Sequence, residues 1–370
     1  AVAAQRAAGA LDSEASARLR SLGYVAGGSS GGGATSGTRG RDPKTMTSYI
    51  RRHDRALGLL SQGELDAGLD AFEELRAEVP ENWLVPFQMA GGLISAGRLA
   101  EAETLLREVV EAAPEFENGY LMLAEVQAML GDYAESARNY DAAAAILSWA
   151  AEPWFQKGRM LADAGRFEEA AGAYVEAIRR EPSNSEPIAA LIDLRESRGD
   201  LEVAVGELRT LVETRPIAVE LQVGLARALR RAGDLEGARV AADEAVRLAP
   251  TAAAPRREAG EIDLVSGEPE AAERHFEAAL RADPQSLVAH FGVARAMALQ
   301  GRTVEADSRF SAILAEDPAF AAVLSFQGRM FERSGDPARA AALYRRALRI
   351  DPTDRDAWEG MERLRGSGKP

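Results

Sequence analysis

The chain has 370 residues, of which 46% are hydrophobic and only 6% aromatic, and its formal net charge is −14. The first 48 residues carry six basic and three acidic groups, so they are +3 and the remainder is −17. An acidic surface of this extent repels phosphate backbones, which argues against nucleic acid as a partner. Disulfides and cysteine-bound zinc are excluded because the chain contains no cysteine. Direct membrane insertion is not expected, since no run approaches the roughly 18 apolar residues that a membrane helix needs.

The N-terminal part divides into two stretches. Residues 11–25, LDSEASARLRSLGYV, predict a short helix because Leu11, Ala15, Leu19 and Leu22 would share one face. Residues 26–41 are rich in glycine and serine, a composition typical of a flexible linker. We therefore assign residues 1–25 to a short helical segment, a candidate remnant of a preceding domain, and residues 26–48 to a linker with its lead-in.

A period of 34 residues organises the chain from residue 49 to residue 354. Nine units follow one another from 49–82 to 321–354, and each is predicted to form two antiparallel helices joined by a tight turn. A proline near the end of most units, such as Pro182 or Pro216, cannot continue the second helix. A glycine opens the turn at the fifteenth position of every unit, and such regularity indicates a repeat protein. These glycines are Gly63, Gly97, Gly131, Gly165, Gly199, Gly233, Gly267, Gly301 and Gly335.

Three further positions alternate small and large side chains. The eighth and twentieth positions are small in nearly every unit, with Ile192 as the exception, and the twenty-fourth is large in all but one, where Ala242 stands. In the unit at 151–184 these three positions hold Gly158, Ala170 and Tyr174. Small residues facing large ones at fixed offsets predict close packing between the two helices of a unit.

The period, the small positions, the turn glycine and the terminal proline together resemble the tetratricopeptide repeat (TPR) family over residues 49–354. This resemblance implies an all-α fold, a right-handed α-solenoid of nine 34-residue helix–turn–helix units. Residues 355–370 are assigned to a capping helix and tail, because 355–367 place Trp358 and Met361 at first-helix positions and then stop. The resemblance also implies that the first helices line a groove, with their fifth and ninth positions pointing into it.

No pattern of residues predicts chemistry. His53, His275 and His290 lie in three separate units, and no nucleophile and base are placed together. We therefore predict no catalytic residues, no metal and no cofactor, and we expect the chain to bind a protein or peptide partner in its groove. The candidate groove residues are Phe87, Leu121, Phe155 and Phe291 at the fifth position and Arg159, Arg227, Arg295 and Arg329 at the ninth.

Charge alternates in sign at the ninth position from Glu125 to Arg295. This alternation predicts either a ladder of ion pairs between neighbouring units or solvated surface charge of little energetic weight. It ends where Arg295 meets Arg329, with Arg333 one helical turn further, so we expect unpaired positive charge there. Our hypothesis is that Arg295 and Arg329 hold a partner's carboxylate. Apolar side chains of the partner would be gripped by Phe87, Leu121 and Phe155.

The sixth position of the units bears on the kind of partner. It reads Gln88 and Met122 in the second and third units and ends with Phe326 in the last. This series lacks the asparagine and lysine clamp with which some TPR proteins grip the C-termini of chaperones. Binding of that kind is therefore disfavoured.

A second resemblance lies at the front of the chain. Residues 17–25, ARLRSLGYV, and residues 42–75 are similar to the junction in bacterial sulfatase-like hydrolases that are fused to TPR arrays. The resemblance implies a hydrolase domain of the alkaline phosphatase superfamily before Ala1, and it favours a periplasmic or cell-envelope location. Three functions remain open: a protein-interaction scaffold, the accessory arm of such a hydrolase, and a structural subunit of a larger assembly.

Overall fold

The computed structural model describes residues 43–367, and within that range it contains nineteen α-helices and no strand. The helix and linker predicted before residue 43 lie outside the described residues. The chain divides into two compact units between Glu181 and Pro182. Each compact unit consists of consecutive helix pairs, as the 34-residue period predicts.

The first compact unit contains four helix pairs. Helix α1 begins at Pro43, six residues before the predicted frame, because proline is well suited to the first turn of a helix. The helices are α1 (Pro43–Ser61), α2 (Leu65–Glu78), α3 (Leu84–Ser95), α4 (Leu99–Ala112), α5 (Glu117–Leu130), α6 (Tyr133–Ile146), α7 (Glu152–Asp163) and α8 (Phe167–Arg180).

The second compact unit contains five helix pairs and a final single helix. The helices are α9 (Ser185–Arg198), α10 (Leu201–Thr214), α11 (Val219–Ala232), α12 (Leu235–Leu248), α13 (Ala253–Val265), α14 (Pro269–Ala282), α15 (Leu287–Leu299), α16 (Thr303–Glu316), α17 (Ala321–Arg333), α18 (Pro337–Ile350) and α19 (Arg355–Ser367). Helix α19 is the predicted capping helix. Its Ala357 is buried, and Met361 and Leu364 pack against the cluster that contains Leu324 and Tyr344.

The nine turn glycines all adopt the left-handed backbone conformation, with φ between 74° and 90°. Side chains rarely tolerate that region, whereas glycine adopts it without steric cost. At the end of α5, the N–H of Gly131 bonds to the carbonyl of Ala128 at 3.0 Å, and the N–H of Asp132 bonds to that of Gln127 at 2.8 Å. The glycines therefore end the first helices and satisfy their last carbonyls, as predicted.

The predicted contact between small and large residues forms inside the helix pairs of the fourth and ninth repeats. A Cβ atom added to Gly158 would lie 2.5 Å from the ring of Tyr174, and one added to Gly328 would lie 2.8 Å from the ring of Tyr344. Real Cβ atoms do not approach so closely, so the eighth position of these repeats has room only for a hydrogen. The large ring at the twenty-fourth position thus packs directly on the backbone of the first helix.

A second pattern links positions 11 and 23 of alternate repeats. In the third repeat, Asn139 donates to Gln127 at 2.7 Å. In the fifth repeat, Arg195 donates to Glu207 at 2.7 Å. The seventh repeat places Asp263 and His275 at these positions, 3.8 Å apart. The second, fourth and sixth repeats carry apolar pairs at these positions instead: Leu93 with Leu105, Leu161 with Ala173, and Leu229 with Ala241.

The Asp263–His275 pair is the least satisfied of the three. The Oδ2 atom of Asp263 and the Nδ1 atom of His275 are buried without a hydrogen-bond partner among the described residues. Burial raises the pKa of Asp263 and lowers the pKa of His275, and the charge of each group partly opposes the other's shift. Arg239 from α12 completes the cluster with a contact of 3.1 Å to Asp263.

Candidate partner-binding faces

The first-helix face of the first compact unit is apolar at its start. Phe87 stacks edge-on against Phe116, with ring centroids 4.9 Å apart, and Trp83 lies 4.4 Å from the same ring. Phe87 is partly exposed, and so is Leu121 on α5. These two predicted residues therefore present apolar surface to solvent.

Phe155 and Arg159 behave differently from each other. Phe155 is only 9% exposed because its ring packs beside Tyr174, with centroids 5.9 Å apart. It belongs mainly to the core of its repeat, so little of its ring is accessible to a partner. Arg159 is exposed, and its nearest hydrogen-bond acceptor is Gln156 at 3.4 Å.

Arg227, in the second compact unit, is held by a buried carboxylate rather than by its predicted neighbour in the charge series. Glu258 on α13 lies 3.4 Å from Arg227 and 2.8 Å from Arg230, both on α11. Two guanidinium groups around one buried carboxylate form a strong cross-repeat contact. Arg227 therefore stabilises the stack of repeats.

The predicted ladder of ninth-position charges forms at one rung. Arg295 contacts both carboxylate oxygens of Glu261, at 2.7 and 3.0 Å, across the 34-residue step between α15 and α13. Asp193 pairs with Arg231 at 2.6 Å instead of with Arg227. Within the described part of each compact unit, the remaining steps of the series form no ion pair.

The expectation of unpaired positive charge where Arg295 meets Arg329 is wrong for these two arginines, although among the described residues it holds for Arg333. Arg295 pairs with Glu261, and Arg329 pairs with Asp356 of the capping helix at 3.2 Å. The sequence frame missed the second pair because Asp356 lies beyond the last repeat. Arg333 is exposed and forms no ion pair with any other described residue.

Both arginines are also stacked on aromatic rings. The Arg295 guanidinium lies 5.4 Å from the centroid of Phe291 and 5.7 Å from that of Phe326, and Arg329 lies 5.0 Å from Phe326. Such stacking holds the guanidinium planes in place and leaves their edges to donate hydrogen bonds. Together with Arg333 these residues make the arginine face: Phe291, Arg295, Phe326, Arg329 and Arg333.

A cavity of about 240 Å³ opens beside this arginine face. Phe326, Arg329 and Met330 line one side on α17, and Ala298 and Leu299 line the other on α15. Leu299 is 43% exposed although it is large and apolar. Sequence reasoning did not select Phe326 for the site, although phenylalanine at the sixth position occurs in this repeat alone and could have indicated it.

The capping helix is tied to the same region by an ion pair. Arg363 donates to both oxygens of Glu332 at 2.9 and 3.0 Å, and the hydroxyl of Tyr344 donates to Glu332 at 2.7 Å. The hydrogen bonds from Arg363, and then from Tyr344, hold the pKa of Glu332 below its usual range against an opposing effect of burial. Asp356 is thereby kept near Arg329.

The described residues contain neither a cluster suited to a metal ion nor a membrane-spanning helix. No group of three or more histidine or acidic side chains is arranged to hold a metal ion within residues 43–367. In the same range, none of the helices combines the length and the apolar character of a membrane span.

Sequence profiles described as "Tetratricopeptide repeat" match residues 59–125, 264–330, 189–253, 324–364, 151–184 and 119–138. These matches cover most of the repeats on which the fold is built. With the paired helices, they show that the chain belongs to the tetratricopeptide repeat family.

Individual relatives are distant. A tetratricopeptide repeat and J domain-containing co-chaperone, DNJ1, from Fusarium oxysporum f. sp. lycopersici is 25% identical over 164 residues, which is 42% of this chain and 32% of that protein. The chain thus matches about a third of the length of this curated relative. A crystal structure of a tetratricopeptide repeat protein from Parabacteroides merdae is 15% identical, covers 76% of this chain and 98% of its own, and has a TM-score of 0.51. The APC/C hetero-tetramer Cut9-Hcn1 is 14% identical, with 88% and 65% covered and a TM-score of 0.48.

Proposed function

We propose that this chain is a non-catalytic scaffold that binds a protein or peptide through the first-helix faces of its repeats. The observation that carries the proposal is the arginine face of α15 and α17, where guanidinium groups stacked on Phe291 and Phe326 border an apolar cavity. Stacked guanidiniums are well suited to planar recognition of a carboxylate. An apolar side chain of the same ligand would fill the cavity.

The ion pairs at this face change how the carboxylate is expected to bind. Arg295 is held by both oxygens of Glu261, whereas the contact between Arg329 and Asp356 is a single one at 3.2 Å between partly exposed groups. Exposed pairs of this kind contribute about 0–1 kcal/mol, so a ligand can displace Asp356 at little cost. The ligand carboxylate is therefore expected to bind Arg333 and Arg329, with Arg295 orienting the two phenylalanine rings.

The proposal is tested with an array of peptides that end in an apolar residue, each made with a free and with an amidated C-terminus. Binding by the free-acid series and loss of binding on amidation support recognition of a terminal carboxylate. The variant Arg333→Glu should abolish the preference, whereas Arg349→Glu, which reverses an exposed arginine on the second helix α18, should leave it unchanged. Equal binding of both series by the wild-type and Arg333→Glu proteins would refute the proposal.

The apolar face of the first compact unit is proposed as a second contact for the same class of partner. Phe87 and Leu121 are partly exposed there, next to the Trp83–Phe116 stack. Partly exposed aromatic anchors commonly carry a large share of binding energy at interfaces. The substitution Leu121→Ser should weaken partner binding with little loss of stability, and unchanged binding would exclude this face.

A second candidate function is that of an accessory arm of a sulfatase-like hydrolase. It is favoured by the similarity of residues 17–25 and 42–75 to the junction in such fusions, which also favours a bacterial cell-envelope location. The coding sequence upstream of Ala1 decides it. An upstream reading frame with the metal-binding acidic and histidine clusters of that superfamily supports the fusion, and an array that begins its own reading frame without such a domain contradicts it. A role as a structural subunit would instead show as self-association or a stable partner complex in sedimentation.

A further inference from the structure

The outer surface of the second helices α2 and α4 contains a groove that is independent of the arginine face. Its volume is about 430 Å³. Leu69, Met89, Leu93 and Leu105 form its floor. The site thus combines an apolar floor with walls contributed by two neighbouring repeats of the first compact unit.

The rim of the groove is acidic. Four carboxylates, those of Asp66, Asp70, Glu73 and Glu101, face one guanidinium, that of Arg98. Arg98 is already engaged by Glu101 at 2.6 Å and by Asp66 at 3.4 Å. Asp70 forms no ion pair with any other residue between 47 and 365, and Glu73 reaches only Arg76, at 3.6 Å. The groove therefore attracts a segment that is both apolar and basic.

A comparable groove in the second compact unit does not share this charge. It lies between α10 and α12 and has a volume of about 730 Å³. Asp243 and Glu244 on its rim are balanced by Arg209 and Arg247. Shape alone would not direct a basic segment to the α2–α4 groove, but charge does.

The chain itself carries a segment of the required chemistry. Residues 15–25, which lie outside the described residues, read ASARLRSLGYV and contain Arg18 and Arg20 but no acidic residue. Leu19 and Leu22 are three residues apart, the spacing that puts two side chains on one side of a helical turn. This segment is basic within a chain whose net charge is −14.

The length of the intervening chain allows the segment to reach the groove. Residues 26–42 join it to the start of α1. Seventeen residues span at most about 58 Å when extended and about 23 Å on average as a glycine-rich coil. Helix α1 has 19 residues, so the glycine turn at its far end, where the groove begins, lies roughly 28 Å from Pro43. A tether of this length gives an effective concentration in the millimolar range.

We propose that residues 15–25 of this chain dock in the α2–α4 groove, with Leu19 and Leu22 on the apolar floor and Arg18 and Arg20 at the acidic rim. One of these arginines would supply the cation that Asp70 lacks among the described residues, and the other would add to the 3.6 Å contact that Glu73 makes with Arg76. The contact is intramolecular, and it leaves the first-helix faces free for a partner.

The test compares the full chain with a variant that lacks residues 1–25, using hydrogen exchange of α2 and α4. We expect faster exchange in these helices after truncation, independent of protein concentration. A synthetic peptide of residues 11–25 added to the truncated protein should restore the slower exchange. The affinity of this peptide for the truncated protein should fall at least tenfold, or ~1.4 kcal/mol, when the protein carries both Asp70→Lys and Glu73→Lys.

A control reverses two exposed carboxylates that occupy the helical position of Glu73 in other repeats, Asp243→Lys with Glu277→Lys, and should leave peptide affinity unchanged. The double variant Leu19→Asp with Leu22→Asp in the full chain should reproduce the effect of truncation. Identical exchange of α2 and α4 with and without residues 1–25, together with no peptide binding, would overturn the proposal. Protection that appears only as a dimer forms would also overturn it, because the segment would then occupy a second copy.

Discussion

The ion pair between Arg195 and Glu207 allows a quantitative test of how the two helices of one repeat are held together. The Arg195 side chain is 6% exposed and the Glu207 side chain 24%, and the pair is joined by two hydrogen bonds of 2.7 and 3.4 Å. Removing one partner of a buried pair typically costs about 3–5 kcal/mol, because the other charge stays buried. Replacing both partners with apolar residues is often neutral or stabilising.

The neighbouring repeat supplies the natural replacement. Positions 11 and 23 of the fourth repeat are Leu161 and Ala173, so the double variant Arg195→Leu with Glu207→Ala copies a pair that this protein already packs. Glu207→Ala alone should destabilise by about 3–5 kcal/mol because the nearly buried guanidinium loses its carboxylate. Arg195→Leu alone should cost less, about 2–3 kcal/mol, because Glu207 can recover part of its hydration. The double variant should lie within about 1 kcal/mol of the wild type or above it.

The assay is hydrogen exchange of α9 and α10 in a double-mutant cycle, since repeat arrays need not unfold in one step. Because the single costs sum to about 5–8 kcal/mol and the double variant costs at most about 1 kcal/mol, the cycle should give a coupling free energy of at least about 4 kcal/mol. The equivalent double substitution in the third repeat, Gln127→Leu with Asn139→Ala, serves as a neutral-pair control with smaller coupling. Strict additivity of the single substitutions would refute the view that the polar pair acts as a unit.

Three further outcomes are expected. Gly158→Ala should destabilise by about 1–3 kcal/mol in urea, because its Cβ would lie 2.5 Å from the Tyr174 ring, whereas Gly172→Ala on the paired helix has nothing within 4 Å and should be neutral or stabilising. The capping helix should loosen in acid, since the pKa of Glu332 is depressed by Arg363: that stabilisation is present above the ordinary glutamate pKa and is lost as pH falls through the lower folded-state value. Hydrogen exchange of α19 at decreasing pH checks this, and Glu332→Gln should remove the pH dependence. His275→Ala should lower stability less at pH 5 than at pH 8, because the lowered pKa of His275 makes burial of the wild-type imidazole increasingly costly as pH falls through the ordinary histidine range. A constant difference in urea midpoint would contradict this.

The sequence predicted those features of the fold that depend on the repeat period. The turn glycines, the packing of Gly158 against Tyr174 and the bounds of α19 all follow from residues at fixed offsets, so counting was sufficient. The polar pairs at positions 11 and 23 escaped notice because each of them looks like a single departure from an apolar position. The two polar residues of a repeat are recognised as a pair only when they are seen in contact across the 12 residues that separate them, as Arg195 and Glu207 are.

The candidate site was predicted less completely than the fold. The 34-residue period placed Arg295 and Arg329 on one face. It could not show that Glu261 and Asp356 reach them, because that depends on the distance and orientation of neighbouring helices. Phe155 was expected to contact a partner and is instead mostly buried on Tyr174. The charges that a repeat frame places side by side are therefore candidates for ion pairs, and only their geometry decides which partners they take.

The central claim is that the arginine face binds a partner's carboxylate. The most direct measurement is the affinity of the strongest free-acid peptide from the array for Arg333→Glu and for Arg329→Gln, by isothermal titration calorimetry, alongside each variant's Tm. Glutamine is used at position 329 because a glutamate there would face Asp356. We expect Arg333→Glu and Arg329→Gln each to lose at least tenfold in affinity with unchanged Tm, and Arg349→Glu to keep its affinity. Undiminished affinity in both variants, or a loss equal to that of Arg349→Glu, would contradict it.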